Sequence, residues 1–128
     1  MKTVYISSPY KGDEETRARN MAYAVELMEF ALTNGEAAPI VPHLYFPQVL
    51  DDSMESDRDL AMRCSEQFLK NCDLMICGLR YGISEGMEEE IANADELDIP
   101  IVWIDAKPEN LVGILDHYEA KRRADDRA

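Results

Sequence analysis

Four short apolar runs punctuate the chain, at residues 3–7, 38–41, 73–78 and 99–104, and amphipathic stretches separate them. Runs this short and this apolar predict strands buried on both faces, the habit of a parallel sheet. Between the first two runs, Met21, Ala24, Val25, Met28, Ala31 and Leu32 recur at helical spacing. Asp13 precedes Glu14 and Glu15 as an N-cap, and Asn34-Gly35 is expected to close that helix with a left-handed residue. A second helix is predicted over residues 55–71, turning Leu60, Ala61, Cys64, Phe68 and Leu69 inward. A third runs from a Ser84 cap to Leu97, and a fourth opens near Pro108 and carries Leu111, Ile114, Leu115 and Tyr118. His117 and the charged residues 121–127 read as a solvated, fraying helix end.

The resulting order, β-α-β-loop-α-β-α-β-α, predicts a single α/β domain over residues 1–128. Alternating strands and helices imply an open parallel sheet of about four to five strands flanked by helices, a flavodoxin- or Rossmann-like three-layer arrangement. Ligands of such sheets bind beyond the carboxyl ends of the strands. Three features converge on that edge: the loop at residues 7–12, the loop at residues 43–48, and the start of the Ser84 helix.

In the Ser84 helix one acidic residue breaks the pattern. At roughly 100° per residue, Glu85, Glu88 and Glu89 share a solvent face, while Glu90 falls among Gly86, Met87, Ala94 and Leu97. A carboxylate on an apolar stripe is costly unless something uses or pairs it. Two readings follow for Glu90: a nucleophile or general base at the ligand edge, or half of an ion pair with a nearby arginine such as Arg80.

Charge and composition narrow the partners. The formal net charge of −13 opposes binding to nucleic acid or to an anionic membrane, but leaves room for a small phosphorylated ligand in a local pocket. No apolar run approaches the ~20 residues of a membrane span, and the N-terminus lacks a secretory apolar stretch, so a cytoplasmic protein is expected. Cys64, Cys72 and Cys77 match no zinc spacing and are expected as reduced core residues; no metal and no cofactor are expected.

Around Glu90 the other candidates each carry two readings. Ser84 is an N-cap, and Gly86 allows close approach, so free N–H groups there suit a phosphate or hydroxyl. Ser7, Ser8 and Gly12, with Lys11 and Arg17 nearby, form either a phosphate cradle or an ordinary turn, because no Gly-x-Gly-x-x-Gly or P-loop spacing is present. His43, Tyr45 and Phe46 form either a wall for a planar base or a plug under a long loop. Asp51 and Asp52 either orient sugar hydroxyls or cap the next helix.

Taken together, several blocks resemble the nucleoside 2-deoxyribosyltransferase superfamily, which includes 2′-deoxynucleoside 5′-monophosphate N-glycosidases. They are Val4-Tyr5-Ile6-Ser7-Ser8-Pro9-Tyr10, Cys72-Asp73-Leu74 and the run from Ser84 to Ala94, in which Gly86, Glu90, Ile91, Ala92 and Ala94 fit the family pattern. Small phage and bacterial members share Ser8-Pro9-Tyr10 with Gly12, the stretch from Pro42 through Asp52, and Ile83-Ser84 with Gly86-Met87.

This resemblance implies that Glu90 attacks the anomeric carbon of a deoxyribosyl group, displaces the base and forms a glycosyl ester that water or a second base resolves. It places Tyr5 near the nucleophile, and residues Ser7, Ser8, Pro9, Tyr10, Lys11 and Gly12 at the 5′ end of a nucleoside or nucleotide. Ser84, Gly86 and Met87 join the substrate-binding set with Tyr45, Phe46, Asp51 and Asp52, and a homo-oligomer is implied. Two departures stand out. Positions where typical members carry supporting aspartates read as Ser84 and, counting back from Asp73, Ser65. Protonation of the leaving base would then fall to His43, Asp51 or Asp52. The alternative expectation is a protein that binds a nucleotide or signalling dinucleotide without turnover.

Overall fold

The computed structural model describes residues 1–104. The helix expected from Pro108, with His117 and the charged end, lies outside the described residues. Four strands form one sheet: β1 (Thr3–Ser7), β2 (Ala38–Ile40), β3 (Leu74–Gly78) and β4 (Ile101–Ile104). They are parallel throughout, in the order β2-β1-β3-β4. The helices are α1 (Glu14–Thr33), α2 (Glu55–Lys70) and α3 (Glu85–Glu96), and two short 3₁₀ turns, Pro42–Leu44 and Phe46–Gln48, fill the loop after β2.

The period of two along β1 divides the core. Val4 and Ile6 join Tyr23, Ala24, Leu27, Phe30 and Ala31 of α1 on one face. Tyr5 joins Met75, Leu69 of α2 and Ala94 of α3 on the other. This is the three-layer α/β arrangement the pattern predicts. The chain steps from β1 outward to β2, then returns past β1 to β3 and β4. Such a reversal opens a crevice at the carboxyl ends of β1 and β3, where Ser7 pairs in register with Cys77.

Local signals set the helix starts. Asp13 Oδ1 accepts the Thr16 N–H at 2.7 Å, and Ser84 Oγ accepts the Met87 N–H at 3.3 Å, so both caps form as read. The close of α1 differs from expectation. Asn34 is right-handed, its N–H and that of Gly35 both reach the Phe30 carbonyl, and the left-handed residue is Glu36, at φ 49°. With Asn34 and Gly35 both turned onto the Phe30 carbonyl, the reversal falls at Glu36, and the Ala37 N–H then takes the Ala31 carbonyl at 2.8 Å.

Four packing expectations also change. Val25 and Leu32 are exposed, and Tyr23, Leu27 and Phe30 face the sheet instead. Leu60 is exposed on α2, whose buried positions are Ser65 and Leu69. Cys72 and Cys77 are buried but Cys64 is only half-buried. In edge strand β4, Trp103 remains 46% exposed, so that strand is buried at alternate positions only. No described helix is long and apolar enough to cross a membrane.

Candidate functional site

α3 begins where β3 ends, so Glu90, in its second turn, reaches back over the carboxyl ends of β1 and β3. The residue is 5% exposed. Arg80 does not pair with it: the guanidinium forks onto Glu26, at 2.8 and 3.1 Å. Among the described residues, Glu90 therefore has no ion-pair partner. Its neighbours are hydroxyls. Ser7 Oγ donates to Glu90 Oε1 at 3.3 Å, and the Tyr5 hydroxyl is a second hydrogen-bond partner.

Burial pushes the Glu90 carboxyl up to about 7, against the opposing effect of the Tyr5 and Ser7 hydrogen bonds, with a further upward push from Glu89. Burial likewise raises Tyr5 well above its ordinary value, and the nearby Glu90 charge adds to it. The Tyr5 hydroxyl donates to Ser65 Oγ at 2.8 Å, so its one proton is shared between that bond and Glu90.

Glu90 and Tyr5 line a cavity of about 540 Å³, a volume suited to a small-molecule ligand. A wider, shallower hollow of about 610 Å³ on the outer side of α2, from Ser56 to Asn93, contains no buried titratable group. Of the two, the Glu90 cavity is the one that holds a buried carboxyl.

Many sequence candidates meet in that cavity: Tyr10, Lys11, Gly12, His43, Phe46, Asp51, Asp52, Ser84 and Gly86 all line it. The Tyr10 and His43 rings stack at 5.5 Å and 17°. Burial lowers the His43 pKa, against a hydrogen bond to the Ser8 backbone and the charge of Asp52. Phe46 stacks against Phe68 at 6.1 Å. Asp51 accepts both the N–H and the hydroxyl of Ser53, at 2.9 and 2.6 Å, which draws its carboxyl below the ordinary value. It shapes the turn ahead of α2 rather than capping the helix, whose N-cap, Met54, has no side-chain bond. A Cβ at Gly86 would meet nothing within 4 Å, so the cavity reaches the backbone there.

Other candidates stand outside the lining. Ser7, Ser8, Pro9 and Met87 are buried behind it. Ser7 still acts on the site through Glu90. Tyr45 is 41% exposed and packs edge-on against Phe46 at 4.9 Å, because the 3₁₀ turns aim the two rings differently.

Arg58 escaped the sequence reading, and Ala61 and Ser65, read as an inward position and as a departure from the family pattern, were not assigned to the lining; the three follow one another along the inner face of α2. Their spacing of three and four, continuing to Leu69, was the available signal. Glu85 and Glu89 are exposed, as expected, yet they also edge the cavity. Asn20, buried on α1, donates to the Tyr10 carbonyl at 3.1 Å and fixes the first loop. Among the described residues, no ion pair engages Lys11, Arg17 or Arg58, the cations of the lining. Nor do three His, Cys, Asp or Glu residues cluster there as a metal site requires.

An enclosed carboxyl that ionises near neutrality, held by hydroxyl donors, is equipped to attack an electrophilic carbon or to take up a proton. Comparison with known proteins bears on which. Residues 2–104 match the model of a family described as a domain of unknown function, DUF7768. No curated protein sequence matches the chain. Among solved structures that do, a 2-deoxyribosyltransferase from the psychrotolerant bacterium Bacillus psychrosaccharolyticus has a TM-score of 0.60 over 79% of this chain and 70% of that one, at 14% identity. At that identity the likeness is one of fold.

Proposed function

The chain belongs to the DUF7768 family and shares the fold of a 2-deoxyribosyltransferase, and from that premise we propose that it cleaves the N-glycosidic bond of a nucleoside or nucleotide, with Glu90 as nucleophile. The observation that carries this reading is the Glu90 carboxyl itself: buried, without a cationic partner among the described residues, ionising near 7, and opening on the cavity at the switch point of the sheet. Tyr5 and Ser7 hold the carboxylate oxygens. Tyr10, His43 and Phe46 offer ring faces to the base. Lys11 and Arg17, with Ser84 and the open backbone at Gly86, serve the 5′ end, where a phosphate would find both charge and N–H donors. Water or a second base then resolves the glycosyl ester. The reaction draws on no metal or redox cofactor. A single domain over residues 1–128, a homo-oligomer, membership of the phage and bacterial subgroup and a cytoplasmic setting belong to the same proposal and rest on the resemblance.

Incubation with a panel of nucleosides, 5′-monophosphates and NAD-like dinucleotides, followed by assay of free base, tests the proposal. The expected outcome is release that falls by roughly 10³-fold or more in Glu90→Ala, the scale of losing a nucleophile. Release that survives the substitution removes Glu90 from the mechanism.

A second reading, nucleotide binding without turnover, is favoured by Ser65 and Ser84 standing where typical relatives carry carboxylates. It expects a ligand-induced rise in melting temperature with no base released, and turnover of any panel member excludes it.

A further inference from the structure

Cleaving the bond to a neutral purine or pyrimidine requires a proton for the departing ring nitrogen, and the groups around the cavity are poorly suited to give it. His43 is stacked under Tyr10 and hydrogen-bonded to the Ser8 backbone. Its lowered pKa leaves the ring neutral at pH 7. Asp51 is held as an acceptor by two Ser53 donors, which keeps it ionised. Tyr5 is engaged with Ser65 and Glu90, and holds its proton too tightly to act as an acid near neutrality. Glu90 cannot be both the attacking carboxylate and the proton source. On the α2 wall the residue in contact with Tyr5 is Ser65, a hydroxyl where an acid would serve.

Carboxylates outnumber cations in the same cavity: Asp51, Asp52, Asp57, Glu85, Glu89 and Glu90 line it against Lys11, Arg17 and Arg58, so on balance it favours positive charge in its ligand. The rings of Tyr10 and Phe46 also line it, and such faces attract a planar cation.

Resting on the reading of Glu90 as nucleophile, we infer that the base this site releases already carries its positive charge, as a pyridinium or an N-alkylated purine does, so that no general acid is needed. A Glu90 oxygen bonds to the anomeric carbon as the carbon–nitrogen bond breaks. The electron pair of that bond goes to the ring nitrogen and cancels its charge, and the base departs neutral without taking a proton. Water then bonds to the anomeric carbon as the ester carbon–oxygen bond breaks, the pair returns to Glu90 as carboxylate, and the proton of water passes to solvent.

The test uses the full chain with 2′-deoxyguanosine 5′-monophosphate, its N7-methyl derivative and nicotinamide mononucleotide, each rate divided by its own uncatalysed rate at pH 6, where the methylated base keeps its N1 proton and its charge. A positioned acid accelerates only the neutral substrate, by roughly 10²–10⁴-fold. The expected result is that base is released from a cationic substrate, and that the acceleration for the neutral parent is no larger. A larger acceleration for the neutral parent, lost in Glu90→Gln, overturns the inference and leaves Glu90 as nucleophile. Release from none of the three overturns both.

Discussion

Two tyrosines stand beside two charges at the carboxyl edge of this sheet, one on each face, and the charges are handled in opposite ways. On the α1 face, Arg80 lies 4.6 Å over the Tyr23 ring and forks onto Glu26. Arg19 covers Tyr81 at 3.9 Å, and Tyr81 meets Tyr23 edge-on at 5.3 Å. Each of these three charges, Arg80, Glu26 and Arg19, has a partner or a ring. On the α2–α3 face, Glu90 is 5% exposed and its hydrogen-bond partners among the described residues are hydroxyls, with no cation beside it. Carboxyls perturbed by burial in this way cluster at functional sites. The contrast singles out Glu90 on physical grounds, apart from any resemblance.

If the contrast holds, the unpaired charge is the feature that costs the fold most. The Glu90 carboxyl ionises near 7 in the folded chain, against 4.5 ordinarily. Below 4.5 both folded and unfolded forms are protonated and nothing is lost. As pH rises through that interval the unfolded chain gives up its proton first, so stability falls, and above 7 the cost is complete. A gap of roughly 2.5 pKa units corresponds to about 3 kcal/mol. Glu90→Gln is therefore expected to unfold at higher denaturant than the parent at pH 8, by up to that amount, and to differ little at pH 4. Denaturant titrations at the two pH values check this. A Gln variant that is no more stable at pH 8 would show that Glu90 finds compensation the contrast denies it.

The second prediction tests the packing beneath the paired charges. Gly78 ends β3 under α1, and a Cβ there would meet Leu27 Cδ1 at 2.7 Å and the Tyr23 hydroxyl at 2.8 Å. Tyr23 is not free to retreat, since its hydroxyl receives the Arg80 N–H at 3.3 Å and its ring lies under the guanidinium. Gly78→Ala is expected to destabilise by about 1–3 kcal/mol, the usual cost of overpacking. The midpoint of denaturation reports it. Base release per folded molecule should be unchanged, because the strain falls on the face away from Glu90.

How much of this was legible in the sequence depends on what each residue's type signals. The strands were legible because central parallel strands are covered on both faces and read as unbroken apolar runs. Glu90 was legible because a carboxylate on an apolar stripe contradicts its surroundings. The inner face of α1 was not. Two stripes overlap on that helix and share Ala24 and Ala31: one adds Val25, Met28 and Leu32, the other Tyr23, Leu27 and Phe30. The bulk of the aromatic pair decides in favour of the second, and counting apolar positions does not weigh bulk. Ser65 was legible only as a departure, a serine where the resemblance expects an aspartate, because a serine by itself is unremarkable on either side of a helix. Its role appears only when β1 brings the Tyr5 hydroxyl to 2.8 Å. The cavity cations were scattered in the same sense: Lys11, Arg17 and Arg58 come from the first loop, α1 and α2, and only the tertiary fold gathers them.

The smallest expected effect belongs to the pair that looks strongest. Arg80 and Glu26 are joined by two short hydrogen bonds, but about 30% of the Arg80 side chain and 28% of the Glu26 side chain remain open to solvent. Water screens the attraction, and holding two long side chains in one geometry costs entropy, so the coupling should lie at about 0.2–1 kcal/mol. A double-mutant cycle of Arg80→Ala and Glu26→Ala, read by denaturant midpoints, isolates it from the ring contact that Arg80 also makes with Tyr23. The coupling should weaken further in high salt, as an exposed pair does. None of the three variants should alter base release, since Arg80 and Glu26 share the α1 face and take no part in lining the Glu90 cavity. A coupling of several kcal/mol, or a loss of release in either single variant, would mean that the two faces communicate through the sheet and that the paired charge is not merely structural.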